Sequence, residues 1–171
     1  MDEKVRTVKM KGNPLTLVGS KVEVGDQVPS FQVVGNDMSV VKCESFAPKV
    51  CVILTVPSLD TPVCDMEVRK FNEAASELDP DIEILAVSMD LPFAQKRWCG
   101  AAGISRIQTL SDYREASLGR AFGVLIKELR LLARAVFIID KSGKIRYKQI
   151  VEEATEEPDY ESALKAVKNL V

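Results

Sequence analysis

The stretch that most constrains this chain is Val50-Cys51-Val52-Ile53-Leu54-Thr55-Val56, followed at once by Pro57-Ser58-Leu59-Asp60-Thr61-Pro62-Val63-Cys64. A short apolar run rich in β-branched side chains reads as a strand buried on both faces, which requires helices on each side of its sheet. The second part opens a helix. Thr61 is placed to act as N-cap, and Pro62 then takes the first helical position, where its fixed φ fits and its missing N–H costs nothing. Cys64 falls in the first turn, among unpaired backbone N–H groups at the positive end of the helix dipole. That setting favours the thiolate, the reactive form of cysteine. Two readings of Cys64 follow from the residues alone. It is a nucleophile, or it is one more apolar member of the stripe Cys64, Val68, Phe71, Ala75 and Leu78.

The rest of the chain alternates in the same manner. Lys4–Met10 and Leu15–Val18, around Lys11-Gly12-Asn13-Pro14, predict an N-terminal hairpin. Phe31–Val34 and Ser39–Lys42 predict a second. After the helix from about 62 to 78, Asp81–Ser88 reads as another buried strand, and Asp90 as the cap of a helix from Pro92 to about Gly103 that carries Trp98 and Cys99. Ile107–Leu110 reads as a strand and Arg114–Phe122 as a helix. Gly123–Ala133 fits a helix or a loop. Ala135–Asp140 and Lys144–Val151 form a hairpin, and a helix from about Pro158 or Asp159 to Leu170 closes the chain. Strands alternating with helices imply parallel pairing by right-handed crossovers with an antiparallel edge, hence a single α/β domain over 1–171 with a mixed sheet. Residues 1–19 are its hairpin extension. In such sheets the chemistry sits at the carboxyl ends of strands, where Pro57–Cys64 falls.

Charge and composition exclude several functions. A net charge of -2 and 6% aromatic residues offer neither the basic patch nor the stacking platforms that a nucleic acid or an anionic membrane calls for. The N-terminus has no apolar signal segment and no run is long enough to span a bilayer, so a cytoplasmic location is expected. There, cysteines serve redox or metal chemistry before structural disulfides. Cys43, Cys51, Cys64 and Cys99 include no closely spaced pair and histidine is absent, which argues against zinc and removes the usual general base of cysteine or serine hydrolases. No cofactor or metal is called for.

A thiolate needs positive potential beyond a helix end, and Arg134 is the candidate source. It lies within the apolar run Leu131–Ile138, where a guanidinium requires an anionic partner unless it points into water. Thr61 either caps its helix only or also directs its hydroxyl at the sulfur or a bound oxygen.

Pro57-x-x-x-Thr61-x-x-Cys64 resembles the active-site loop of the peroxiredoxins. With Ser58–Cys64, Asp90–Cys99, Ala133–Val136, Glu157–Tyr160 and the N-terminal hairpin, nearly the whole chain resembles the thiol peroxidases, their atypical two-cysteine branch. The resemblance implies a thioredoxin-like fold with an added hairpin, usually a homodimer. It implies that Cys64 attacks hydrogen peroxide or organic hydroperoxides and becomes a sulfenic acid, in antioxidant defence. Arg134 and Thr61 would hold the thiolate and polarise the peroxide, while Pro57 and Pro62 shape the pocket. Cys99 would resolve the sulfenic acid as an intramolecular disulfide, and thioredoxin would restore both thiols. Closure of that disulfide calls for local unwinding, so the Cys99 segment is expected to differ between redox states. Cys43 and Cys51 are read as structural. Three alternatives stay open: a general disulfide oxidoreductase, against which Thr61 stands where a C-x-x-C motif has its first cysteine; a peroxidase that uses Cys64 alone; and a non-enzymatic binding module.

Overall fold

The computed structural model describes residues 5–171. Eleven strands and four α-helices are present among them: β1 Arg6–Met10, β2 Asn13–Val18, β3 Gln32–Val34, β4 Val40–Lys42, β5 Cys51–Thr55, α1 Pro62–Ala75, β6 Glu83–Ser88, α2 Pro92–Ala102, β7 Gln108–Ser111, α3 Ser117–Phe122, β8 Leu125–Ile126, β9 Leu131–Leu132, β10 Ala135–Ile139, β11 Ile145–Ile150 and α4 Tyr160–Lys168. The main sheet runs β11-β10-β5-β6-β7-β3-β4. Its centre β5-β6-β7 is parallel, built by crossovers through α1 and α2, and antiparallel pairs flank it on both sides. This is the mixed α/β, thioredoxin-like arrangement expected.

Alternation along β5 divides the interior, because successive side chains of a strand point to opposite faces. Val52 and Leu54 pack with Ile84, Ala86, Val136 and Ile138 beneath α1 (Val68, Phe71, Ala75) and α4 (Ala163, Val167). Cys51 and Ile53 face the other way, with Leu85, Val87 and Phe137, towards α3 and the N-terminal hairpin. Phe122 is fully buried there and its ring lies 5.8 Å from Phe31 and 4.8 Å from Phe137.

Gly123–Ala133 departs from expectation. The leucines at helical spacing do not form a helix: β8 and β9 pair with each other, and β8 pairs with β2, making a second sheet β1-β2-β8-β9. Gly123 and Arg130 adopt φ of +69° and +51°, turning the chain before and between these short strands. The N-terminal hairpin is therefore not a free appendage; Lys4, also assigned to it, lies outside the described residues. β1 further exchanges backbone bonds with the segment after β11, Lys9 N–H to Glu152 O at 2.7 Å and Ala154 N–H to Lys9 O at 2.8 Å. Two smaller differences concern helix ends. α1 stops at Ala75, although Leu78 beyond it remains buried. α3 begins at Ser117 because Ala116 is left-handed and Asp112 accepts the N–H groups of Leu118 and Gly119.

Candidate active site

Pro57 is buried two residues past the end of β5, and the chain turns through Ser58–Thr61 into α1. Cys64 is the third helical residue and has 0% exposure. Thr61 occupies the N-cap position with extended backbone (φ -94°, ψ 146°), yet its side chain caps nothing. Its hydroxyl instead donates to the Ser58 carbonyl at 2.9 Å, which tightens the turn and corrects the expected cap bond. Pro62 at the first helical position is exposed.

Register brings Arg134 to this end of the sheet. β10 runs antiparallel to β5 with Ala135 opposite Thr55, so the residue preceding β10 lies beside the carboxyl end of β5. Arg134 is 2% exposed, and it does not point into water. Nη2 donates to Cys64 Sγ at 3.3 Å, Nη1 to Glu67 Oε2 at 2.6 Å, and Nε and Nη2 both donate to the Ala154 carbonyl, at 3.1 and 2.9 Å. A guanidinium so fixed presents positive charge to the sulfur without further reorganisation. Burial alone works against its charge, but attraction to Cys64 and Glu67 outweighs burial and raises its pKa.

Glu67 was not singled out from the sequence. It follows Cys64 by three positions, on the same face of α1, and is 0% exposed. An acidic residue inside an apolar stripe was the available signal. Burial pushes its carboxyl up to about 7, with Arg134 opposing the shift and Glu157 adding to it. Oε2 is paired, while Oε1 has no hydrogen-bond partner among the described residues. Glu157 itself accepts Lys70 Nζ of α1 at 3.0 Å and the Tyr160 hydroxyl of α4 at 2.9 Å, and the Tyr160 ring packs 5.3 Å from Phe71.

Asp90 has a role other than the one expected. The residue at the N-cap of α2 is Leu91, with no side-chain cap. Asp90 accepts Ser58 Oγ at 2.7 Å, Leu59 N–H at 2.8 Å and Ser88 Oγ at 2.7 Å, so it fastens the loop after β5 to the loop after β6. A carboxylate held by three donors is worth more here than at a helix end already opened by Pro92.

Cys99 is half-buried on α2 and shares a hydrogen bond of 3.3 Å with Thr109 Oγ1 on β7. Burial pushes its thiol up, with the Thr109 bond opposing. It is a free thiol, as are Cys64, Cys43 and Cys51. Cys51 is buried in β5, and burial raises its thiol strongly. Cys43 opens a short 3₁₀ turn, Cys43–Phe46. The structure thus unites Cys64, Arg134 and Glu67 in direct contact, sets Pro57 and Thr61 in the loop leading to them, and places Cys99 on the adjoining helix. Among the described residues no group of three acidic or cysteine side chains offers a metal site, and no helix is long and apolar enough to cross a membrane.

The redoxin family matches residues 23–164. The chain is 54% identical over 162 residues to the thiol peroxidase of Halalkalibacterium halodurans, covering 95% of this chain and 97% of that one. It is 51% identical over 164 residues to the thiol peroxidase of Bacillus subtilis, covering 96% and 98%. Among solved structures, a peroxiredoxin-like protein from Aquifex aeolicus has a TM-score of 0.91 and 48% identity, covering 97% of this chain and 98% of that one.

Proposed function

This chain belongs to the redoxin family, with the thiol peroxidases as its near relatives, and from that premise we propose that Cys64 is the peroxidatic cysteine of a thiol-dependent peroxidase. The observation that carries this reading is the bond from Arg134 Nη2 to Cys64 Sγ, 3.3 Å, at the N-terminus of α1. A thiolate between a helix terminus and a guanidinium attacks one oxygen of a hydroperoxide. The O–O bond breaks, Cys64 becomes a sulfenic acid, and the departing alkoxide or hydroxide takes a proton to leave as alcohol or water. Arg134 stabilises the charge as it moves from sulfur to the leaving oxygen. Thr61 directs a hydroxyl oxygen with free lone pairs into the same turn, and buried Pro57 holds the loop entry.

Cys99 is the resolving cysteine. Its S–H and the sulfenic hydroxyl combine as water while the Cys64–Cys99 disulfide forms, which spares the sulfenic acid from further oxidation. Thioredoxin returns both thiols by exchange. Hydrogen peroxide and organic hydroperoxides are the substrates, in antioxidant defence. The protein acts as one domain, in the cytoplasm, as a homodimer.

Peptide mapping without reductant after one equivalent of hydrogen peroxide tests this, with Cys64→Ser and Cys99→Ser alongside. A Cys64–Cys99 link in the wild type, absent from both variants, is expected. A Cys64 that stays a free thiol overturns the peroxidase reading. A Cys64 that oxidises without joining Cys99 replaces the two-cysteine cycle by a one-cysteine cycle.

A further inference from the structure

The residue that follows Cys64 is bonded to the residue that precedes Cys99. Trp98 Nε1 donates to Asp65 Oδ1 at 2.8 Å. The second oxygen of Asp65 accepts Arg69 Nε at 2.9 Å, one turn along α1. Arg69 lies over the Trp98 ring, 5.8 Å from its centroid, and its Nη1 reaches the Ala102 carbonyl at the end of α2 at 3.4 Å. Three side chains thus fasten α1, which carries Cys64, to the second half of α2, which carries Cys99.

That half of α2 has little else to hold it. The buried residues of α2 are Pro92 and Gln95, both in its first half, and Gln95 anchors there through Ser88 Oγ at 3.0 Å and the Leu110 carbonyl at 2.8 Å. From Trp98 onward the attachments are the Trp98 indole, its half-buried ring, the Cys99–Thr109 bond and the Arg69–Ala102 bond. A segment secured by few apolar contacts and several polar ones opens at low cost. Consecutive residues of a helix point about 100° apart, so while Trp98 is turned to Asp65, Cys99 is turned to β7 and Thr109. Cys64 is wholly buried against Arg134. A disulfide requires Cα atoms within about 7 Å and facing Cβ vectors, so joining the two sulfurs calls for α2 to turn Cys99 away from Thr109 and towards α1.

We propose that Asp65, Arg69 and Trp98 form a latch whose release governs the resolving step. The latch is a set of positioning residues, and the proposal rests on Cys99 being the resolving cysteine. After Cys64 becomes a sulfenic acid, two reactions compete for it. In one, the Cys99 thiol attacks its sulfur, the S–S bond forms and water leaves with the thiol proton. In the other, a second hydroperoxide transfers an oxygen, giving the sulfinic acid and an alcohol or water. The first waits for the latch and the second does not. The strength of the latch therefore sets the peroxide dose that Cys64 withstands.

The test uses the full chain, reduced, exposed to graded hydrogen peroxide with thioredoxin, thioredoxin reductase and NADPH turning over. Mass spectrometry of the Cys64 peptide reads the sulfinic fraction. Trp98→Phe keeps the ring and removes the N–H, and Arg69→Gln removes the cation above it. Each is expected to raise the dose for half over-oxidation about three- to tenfold, the factor that one net hydrogen bond supplies. The rate of the first oxidation of Cys64 should stay at the wild-type value, which a merely structural role would not preserve. In a Cys99→Ser background the same substitutions should leave the dose unmoved, since no resolving thiol waits behind the latch. An unchanged or lowered dose in both variants overturns the latch, as does an effect that persists without Cys99. If the wild type forms its Cys64–Cys99 disulfide in those experiments, the two-cysteine reading survives that failure; if it forms none, both fall.

Discussion

Arg134 Nη2 stands 3.3 Å from Cys64 Sγ across 70 residues of sequence. One guanidinium serves the sulfur at one nitrogen and the buried Glu67 at another, so the proposed catalytic contact and a buried ion pair meet at a single side chain.

Replacing Arg134 by Ala should reduce peroxide consumption by about 100- to 1,000-fold, as does loss of a preorganised donor to developing charge. It should also destabilise the fold by about 3–5 kcal/mol, because Glu67 is left buried without a counter-ion. Adding Glu67→Gln should recover much of the stability and none of the activity. Urea denaturation and peroxide assays on the two proteins separate the effects, and recovery of both together would count against the assignment of Arg134.

Glu67 makes the protein pH-sensitive near neutrality. Its carboxyl is pushed up to about 7 from an ordinary value of 4.5, so the folded state binds this proton more tightly than the unfolded state. The contribution of Glu67 to stability is complete below about pH 4.5 and is lost as pH rises through about 7. Glu67→Gln cannot ionise and loses this dependence. Melting temperatures from pH 5 to 8 should show the wild type declining relative to the Gln variant, and a constant difference would refute the shift.

Asp90→Ala should loosen the loop that delivers Thr61 while leaving α2 intact. It unpairs Ser58, Leu59 and Ser88, at a cost of about 1–3 kcal/mol, whereas α2 begins at Pro92 without help from Asp90. The expected result is an unchanged helical circular dichroism signal with slower oxidation of Cys64. Loss of helix instead would restore the capping role.

Phe122→Ala should cost about 3–5 kcal/mol, since the ring is fully buried between Phe31 and Phe137. It lies on the face of the sheet away from Cys64, so the folded fraction should oxidise at the wild-type rate. Chemical denaturation followed by a peroxide assay corrected for folded protein checks both.

The unit β5–α1 was readable because each of its signals is local: a β-branched run, a proline at the first helical position and a cysteine two residues on. α2 was readable in extent for the same reason, with Gly103 in the left-handed conformation ending it. What local signals misjudged depends on distant partners. Asp90 reads as a cap beside Pro92, but the donors it serves on the active-site loop lie 31 and 32 residues away. Leu125, Leu129 and Leu132 keep helical spacing, yet β8 finds its hydrogen bonds on the N-terminal hairpin, which no periodicity within the segment encodes. Glu67 stands as an acid within an apolar stripe, though the cation that balances it, Arg134, enters from just before β10.

The carbonyl of Ala154 receives two of the bonds that aim Arg134, and Ala154 is in turn pinned to Lys9 in β1. During synthesis the N-terminal parts of a chain emerge and begin to fold first. Cys64 is therefore translated well before the carbonyl that orients Arg134, so the contact between guanidinium and sulfur forms only after residue 154 has docked against β1.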